Sequence, residues 1–235
     1  MSREIPVQAD WNWVSRGWDL FLEQWQMWLL NTGFFLVAVV ISLSGFVPLW
    51  FWMLEGFYQG YANWLSPLLW IGLLVFFLGS GIAAFLYAGL YKCAERQLRG
   101  ERIQVEDLVS AGDRFTILIG VQGTVFALVL IGSLFCFLPG LVVGALMFFT
   151  TPAVVLGKRD AREAIDESYR LMSSDVPNLL VLGIVTNLIA SVGSNICFIG
   201  LLASIPISVL ITTVAYYDCA GITPTNKADN TNRFV

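Results

Sequence analysis

Long apolar stretches recur through this sequence, and they constrain its fold more than any other feature. They cover about residues 28–52, 66–91, 115–137, 140–157, 177–198 and 201–218, and long runs within them contain no Asp, Glu, Lys or Arg. A helix of about 20 apolar residues crosses a hydrocarbon core of about 30 Å. Backbone polar groups that cross lipid must pair within their own segment. The stretches therefore predict an all-α, polytopic membrane helical bundle of six transmembrane helices.

The composition agrees with this prediction and excludes an ordinary soluble domain. Apolar residues make up 57% of the 235 residues and charged residues 13%, whereas soluble domains average about 25% charged residues. The net charge of −4 and the lack of a basic stretch with interleaved aromatic residues argue against nucleic-acid binding. We expect one transmembrane domain over residues 1–221 and a flexible cytoplasmic tail at 222–235.

The basic residues predict the orientation of the bundle. All 13 Lys and Arg residues lie before the first stretch, between the second and third, between the fourth and fifth, or after the sixth. The connections near residues 53–65, 138–140 and 199–200 have none. Because basic loops stay in the cytoplasm, both termini are expected on the cytoplasmic side. An odd number of spans would break this pattern.

The segment before the first stretch, residues 10–27, predicts an amphipathic helix. Apolar side chains recur there at steps of three and four and would share one face: Trp11, Val14, Trp18, Phe21, Trp25 and Trp28. Such a helix lies in the membrane interface, and Trp11, Trp18, Trp25 and Trp28 would be its interfacial anchors. Weaker amphipathic patterns occupy residues 105–112 and 160–172. In the second pattern, Asp160 and Glu163 have the spacing of a capping box, and Arg159 and Glu163 that of an ion pair.

Self-similarity predicts parallel internal hairpin repeats. Residues 132–138 (GSLFCFL) match residues 193–199 (GSNICFI) at an offset of 193 − 132 = 61, and both runs end an apolar stretch on the outer side. Repeats that begin on the same side of the membrane are parallel. Cys136 and Cys197 take matching positions, where either a disulfide or small apolar packing is consistent with the pattern.

The second half of the sequence resembles a known group of proteins. The resemblance rests on the Cys-Phe-Leu-Pro-Gly turn at 136–140, the late Thr-Pro and Ile-Pro dipeptides, and Ala164, Ile165, Ser168, Leu171 and Asn178. Over most of residues 80–221 the chain looks like uncharacterised bacterial multi-pass membrane proteins related to the membrane domain of glycerophosphodiester phosphodiesterases. The resemblance implies a location in the bacterial inner (plasma) membrane and brings no catalytic residues. We expect no phosphodiesterase catalytic domain, since the sequence offers neither space nor a histidine for it.

A polar stripe on the fifth stretch is the first candidate site. Asn187, Ser191 and Asn195 recur every four residues, with Ser194 beside them, so they share a helical face. The stripe could line a path for a polar ligand, or it could supply hydrogen bonds between helices, each worth about 0.6 kcal/mol. We expect the packing role.

Small residues form two further candidate surfaces for helix–helix contact. Gly140 and Gly144 form a G-x-x-x-G pair, and Ser80, Ala84 and Ala88 form a small-residue row. Either could be a dimer face, but close packing within one bundle is the more common use.

Clusters of chemically reactive residues are missing from the sequence. It has no histidine, and its four cysteines are scattered. No catalytic residue, metal site or cofactor is therefore expected. Glu55 is the one acidic residue of the outer connections. It could contact a lipid headgroup, a cation or a partner, although a solvated interfacial carboxylate is the ordinary interpretation.

These features predict a non-enzymatic integral membrane protein, a scaffold, assembly factor or accessory subunit that acts through helix packing. The alternative is a small transporter or channel for a polar or lipid-like solute, favoured by the repeat, the polar stripe, and Pro152 and Pro206 within the spans. Against it stands the lack of an ionisable residue deep in a span. The expected partners are membrane lipids and either other membrane protein subunits or a second copy of the chain.

Overall fold

The structure is a computed structural model that describes residues 11–60, 63–135, 146–195 and 199–222. These residues form nine α-helices and one 3₁₀ segment, with no β-strand among them, so the all-α prediction is confirmed for this part of the chain. The elements are α1 (Asn12–Glu23), α2 (Trp25–Ser44), α3 (Phe46–Gln59), α4 (Pro67–Leu98), the 3₁₀ segment (Val105–Arg114), α5 (Phe115–Phe135), α6 (Thr150–Val155), α7 (Ala161–Ser174), α8 (Val176–Asn195) and α9 (Ile199–Ala220).

Three stretches of the described residues are long and apolar enough to cross a membrane. They are Trp25–Gln59, which joins α2 and α3, Pro67–Leu98, which is α4, and Gly200–Ala220 within α9. Two bent pairs raise the count to five if each is one span: the 3₁₀ segment with α5, and α7 with α8. The predicted span at 140–157 lies partly outside the described residues, and its described part contains α6, a helix of six residues. The structure thus has three to five candidate spans, and the sixth stays a prediction.

A proline explains why α2 and α3 are separate helices. Pro48 lies in the first turn of α3, where its ring would clash with the carbonyl group of Ser44, four residues earlier. α2 ends at Ser44, and the Gly45 N–H group donates to the Ser42 carbonyl oxygen in a tight turn. The two helices nevertheless continue as one stretch of 35 residues, which is about 50 Å long at the rise of an α-helix.

Glycines let α4 approach α2 and α3 closely. A Cβ atom added to Gly79 would lie 2.5 Å from Ser42 Cα, and one added to Gly45 would lie 2.7 Å from the Gly72 carbonyl oxygen. Ser42 Oγ also lies 2.7 Å from Ser80 Oγ, so a hydrogen bond joins the helices at this contact. In lipid, where apolar burial gives little drive for association, such close packing and hydrogen bonding hold helices together.

α9 is the central helix of the bundle. The most apolar part of each candidate span differs in how much of it is buried by the rest of the chain. The buried share is 72% in Gly200–Ala220, 22% in α4 and 17% in Trp25–Gln59. α9 contacts α1, α2, α4, α6 and α8. The α2–α3 stretch and α4 therefore lie at the edge of the bundle and expose apolar side chains, which include Phe34, Val37, Val40, Phe77, Leu78 and Ile82.

The chain turns sharply into α5 and into α8. The angle is 78° between the 3₁₀ segment and α5, and 112° between α7 and α8, with Asp175 at the break. A capping box is formed by Gln104 and Asp107 at the start of the 3₁₀ segment. The capping box predicted for Asp160 and Glu163 is wrong, because Asp160 occupies the N-cap position of α7 without a side-chain capping hydrogen bond.

Candidate functional site

Polar side chains, most of them buried, cluster where α4 and α9 end, at the start of the 3₁₀ segment and in the middle of α7. We call this cluster the polar layer. It comprises Glu95, Arg96, Gln97, Asp107, Glu167, Tyr216, Tyr217 and Asp218. Glu95, Gln97, Asp107 and Glu167 are each less than a tenth exposed. A buried polar group is costly unless it is hydrogen-bonded, and a buried charge is costly unless it is also paired, so the partners of these groups decide what the layer does.

Gln97, in the last turn of α4, joins three elements through its side-chain amide. Its Nε2 donates to the Leu20 carbonyl oxygen of α1 at 2.5 Å and to Glu23 Oε2 at 3.4 Å. Its Oε1 accepts a hydrogen bond of 2.8 Å from the indole N–H group of Trp28 in α2. Trp28 is fully buried. The amide therefore satisfies both the indole and the end of α1 in a place closed to water.

The joint between α1 and α2 is tied to the segment after α4 in a similar way. Gln24 separates the two helices, and its Nε2 donates to the Glu101 carbonyl oxygen at 3.2 Å. Its Oε1 accepts a hydrogen bond of 2.9 Å from the Ile103 N–H group. The Gln24 side chain thus satisfies two main-chain groups of the segment that follows α4, and these bonds hold the start of α2 beside that segment.

Glu95 is a buried carboxylate surrounded by donors. Lys92 Nζ lies 3.0 Å from its Oε2, and Arg99 Nη2 binds its Oε1. The side chain of Tyr217 in α9 lies near this carboxylate. Lys92 lies in α4 and Arg99 directly follows its last residue, so their pairing with Glu95 stabilises the end of that helix.

Arg96 connects α4 to the 3₁₀ segment. Its Nη1 lies 2.5 Å from Asp107 Oδ1, and its Nε lies 3.1 Å from Glu101 Oε2. Asp107 Oδ2 accepts a further hydrogen bond of 2.8 Å from the Gln104 N–H group, which is the capping contact. Gly89 permits the approach, since a Cβ atom there would collide with the main chain of Leu108.

Glu167 makes the corresponding connection between α7 and α9. Its Oε1 accepts a hydrogen bond of 3.1 Å from the Tyr216 hydroxyl, and its Oε2 lies 2.8 Å from Arg159 Nε. The hydrogen bond to Glu167 raises the pKa of the Arg159 guanidinium above its usual range. The sequence pattern paired Arg159 with Glu163 as neighbours on one helix. In the structure Arg159 instead binds Glu167, because it precedes α7 and reaches the buried face of that helix.

The tryptophans predicted to anchor α1 divide into two groups. Trp11, Trp18 and Trp25 are about half exposed, so they remain available to a membrane interface. Trp28 is not an interfacial anchor, because it is buried against Gln97.

A tryptophan outside the predicted stripe attaches α1 to α9. The Trp13 indole N–H group donates to Asp218 Oδ2 at 2.7 Å. A Cβ atom added to Gly17, one turn later, would lie 2.6 Å from Ile211 Cγ1. Phe21 is also buried on this side. One face of α1 therefore packs on the protein and includes Phe21 of the predicted stripe, while Trp11 and Trp18 remain about half exposed.

The polar layer has the geometry of a clamp between helices. Each of its carboxylates is bound by a cation, an indole or a hydroxyl group, whereas a general base needs a lone pair directed at a substrate proton. Within the described residues there is no group of three or more His, Cys, Asp or Glu side chains that could hold a metal ion. The bonds instead join α1, α2, α4, α7, α9 and the 3₁₀ segment at one level of the bundle.

The predicted polar stripe has its first residue on an exposed face of α8. Asn187 is exposed, and its Nδ2 donates to the Gly183 carbonyl oxygen of its own helix at 2.8 Å. Ser191, Ser194 and Asn195 follow on α8, and their side chains lie outside the description. α8 meets α9 through a different face, where a Cβ atom on Gly193 would lie 2.7 Å from the Gly200 carbonyl carbon. For Asn187, the predicted hydrogen bond between helices stays a prediction beside this bond within α8.

The predicted small-residue row takes part in packing within the chain. Ser80 bonds to Ser42 of α2, and Ala88 is buried, whereas Ala84 is half-buried. The closest contacts of α4 are made by glycines that the prediction omitted, at positions 72, 79 and 89. Gly140, Gly144, Cys136 and Cys197 lie outside the described residues.

An open apolar groove of about 820 Å³ lies between α3 and the start of α4, at the end opposite the polar layer. Its walls include Phe46, Leu49, Trp52, Trp64, Leu69 and Leu73. Glu55 lies one helical turn beyond Trp52. Its Oε2 accepts a hydrogen bond of 3.2 Å from Ser66 Oγ, and its Oε1 one of 3.1 Å from Gln59 Nε2.

Sequence reasoning missed the polar layer because its charges were assigned to solvated loops. Little signal was present, because Glu95 and Gln97 lie in a run that mixes basic and apolar residues from Lys92 to Arg99. The groove gave no signal, since every residue in its walls is ordinary for a membrane span. No protein-family model, curated protein or solved structure matches this sequence, so no family membership follows from comparison.

Proposed function

We propose that this chain is a non-enzymatic integral membrane protein that acts as a scaffold, assembly factor or accessory subunit. The observation that carries the proposal is the burial contrast between α9 and the helices at the edge. α9 is mostly buried within the chain, while α2, α3 and α4 present long apolar faces outward. Apolar faces of this extent meet lipid or the helices of another membrane protein.

The polar layer supports a role in holding a shape. Buried ion pairs add little net stability compared with apolar packing, but breaking one is costly. Groups such as Glu95 and Glu167 therefore favour one arrangement of α4, α7 and α9 over others. A scaffold needs a fixed outer surface, and this clamp provides a physical reason for one.

We further propose six spans with both termini on the cytoplasmic side of a bacterial inner membrane. The support is the placement of all 13 basic residues in the two termini and in the connections after the second and fourth predicted spans. Six spans put these four segments on one side of the membrane, and basic segments stay in the cytoplasm. The sharp turns into α5 and α8 are consistent with interfacial segments that lead into spans, as the parallel repeat would require. The resemblance to bacterial membrane domains related to glycerophosphodiester phosphodiesterases supports the same location.

The transporter alternative receives less support from the polar residues of α9. Ser208, Thr212 and Thr213 are buried, but their hydroxyl groups donate to the carbonyl oxygens of Ile205, Ser208 and Val209 in the same helix. Hydroxyl groups bonded in this way let a helix carry polar residues in an apolar place without lining a water path.

Photocrosslinking in native membranes tests the scaffold proposal. A photoreactive phenylalanine analogue would be placed at Val37 of α2 or Phe77 of α4, both largely exposed, and at Leu188 of α8 as a control of similar exposure. We expect discrete protein adducts from positions 37 and 77 and none from position 188. Lipid adducts alone at all three positions would reject a role based on this face.

Reporter fusions test the topology separately. Fusions after Gly100, Gly157 and Val235 should report the cytoplasm, and fusions near Asn63 and Gly200 should report the opposite side. An inverted result at Asn63 would contradict the six-span arrangement, whatever the crosslinking shows.

A further inference from the structure

We propose that the groove between α3 and α4 binds a phospholipid with a cationic amine headgroup, the acyl chain lying in the groove and the amine at the Glu55 carboxylate. This inference goes beyond the scaffold proposal and requires only that α3 and α4 lie in a bilayer. It assigns a ligand class to a site built from a segment of the chain, residues 17–91, that contains no Lys or Arg.

The groove has the size and lining of a site for an apolar chain. Its volume of about 820 Å³ falls in the range of about 300–1,000 Å³ that is typical of small-molecule sites. Leu49, Leu69 and Leu73 line it together with aromatic rings. Trp50 and Trp70 beside it are largely exposed, and such rings favour the level of lipid headgroups. A lipid chain can therefore enter sideways from the bilayer.

Charge complementarity identifies the headgroup. No Lys or Arg occurs between Arg16 and Lys92 in the sequence, and in the part of the chain that the structure describes Glu55 has no ion pair. Ser66 and Gln59 are neutral donors, so they orient the carboxylate and leave its charge uncompensated. An ammonium group supplies that charge, and the exposed Trp64 ring offers it a cation–π contact. An anionic headgroup would instead be repelled.

A second copy of this chain is a poorer occupant. A symmetric contact through the same groove would bring one Glu55 near the other, since a two-fold interface uses the same patch twice. The segment between Arg16 and Lys92, which contains α3 and the start of α4, has no basic residue in either copy to offset the repulsion. The lipid amine avoids this conflict.

Lipid retention tests the site with the full chain. Protein would be reconstituted in vesicles of equal parts phosphatidylethanolamine and phosphatidylglycerol with identical acyl chains, extracted in mild detergent, and its bound lipids counted by mass spectrometry. The unaltered chain should retain phosphatidylethanolamine about two- to fivefold over phosphatidylglycerol, the range for one partly exposed ion pair. Glu55→Gln should bring the ratio close to one, and Glu55→Lys should invert it.

The groove itself is tested with a matched pair of substitutions. Leu73→Trp adds bulk inside the groove, and the neighbouring Leu74→Trp adds the same bulk on the exposed side of α4. We expect the first to lower retained lipid and the second to leave it unchanged, with both variants retaining native helix content by circular dichroism. A ratio of one for the unaltered chain, an unchanged ratio for Glu55→Lys, or equal retention by both tryptophan variants would overturn the proposal. Absence of protein crosslinks at positions 37 and 77 would leave these outcomes unaffected, so the two proposals can fail separately.

Discussion

Replacing Gly79 by alanine should separate α4 from α2, although alanine is the better helix former. The added Cβ atom would lie 2.5 Å from Ser42 Cα and 2.6 Å from Ser42 N. These are main-chain atoms, so the clash is relieved only when a whole helix shifts. Gly81 is the matched control, because nothing lies within 4 Å of a Cβ atom added there.

The two substitutions share the change in helix propensity, which favours alanine by about 1 kcal/mol. Their difference therefore isolates the packing effect. Overpacking of a tight contact costs about 1–3 kcal/mol, and any shift also lengthens the hydrogen bond between Ser42 and Ser80, now 2.7 Å. We expect Gly81→Ala to be neutral or stabilising and Gly79→Ala to be less stable than it by about 1–3 kcal/mol.

Thermal unfolding in one detergent, followed by tryptophan fluorescence, measures this difference. For a chain of this length, 1 kcal/mol corresponds to about 2–4 °C, so the Tm values should differ by about 2–12 °C. Ser42→Ala, added to each of the two glycine variants, is a second check. It should lower the Tm less in Gly79→Ala than in Gly81→Ala, because the bond between Ser42 and Ser80 is already weakened when the helices are apart. Equal Tm values for Gly79→Ala and Gly81→Ala would refute the close contact and the helix pairing inferred from it.

Two further predictions concern the polar layer. Gln97→Leu leaves a buried indole N–H group and a main-chain carbonyl oxygen without their partner, so we expect a loss of about 1–3 kcal/mol in the free energy of unfolding, measured by denaturant titration. Gln59→Leu, at an exposed position, should change it little, and equal effects would argue against a buried role for Gln97. Trp13→Phe removes the hydrogen bond to Asp218 and should speed proteolysis within α1 severalfold in inside-out vesicles, whereas Trp18→Phe should not. Equal cleavage rates in the two variants would show that α1 is held by lipid and not by α9.

Apolar length was sufficient to predict the helical character of the chain. Hydropathy summed over about 20 residues is a local property, and helix is the structure that satisfies the backbone of such a segment. The stretches at 28–52, 66–91 and 201–218 accordingly correspond to helical stretches of the structure. The helix over 66–91 nevertheless continues to Leu98, because its charged end is paired and buried instead of solvated.

The candidate site depended on neighbours that lie far apart in the sequence. Gln97 binds Leu20 and Trp28, and Glu167 binds Tyr216, which is 49 residues away. The charge pattern of one helix allows a basic residue more than one acidic partner, and the sequence pattern paired Arg159 with Glu163. In the folded chain Arg159 pairs with the buried Glu167. The groove likewise exists only because α3 and the start of α4, which are joined by a loop, lie side by side in the folded chain.

The tryptophans of α1 show most directly which properties follow from the sequence alone and which follow from the tertiary structure. The sequence by itself predicted an amphipathic helix rich in indoles over residues 10–27, since spacing along a helix depends only on its pitch. The structure has α1 over Asn12–Glu23 and a break at Gln24, so Trp25 already belongs to α2. Only the tertiary structure decided that Trp13 faces α9 while Trp11 and Trp18 face outward. An indole gains about the same from leaving water whether it enters lipid or protein, so the choice rests on whether a partner such as Asp218 is present to accept its N–H group.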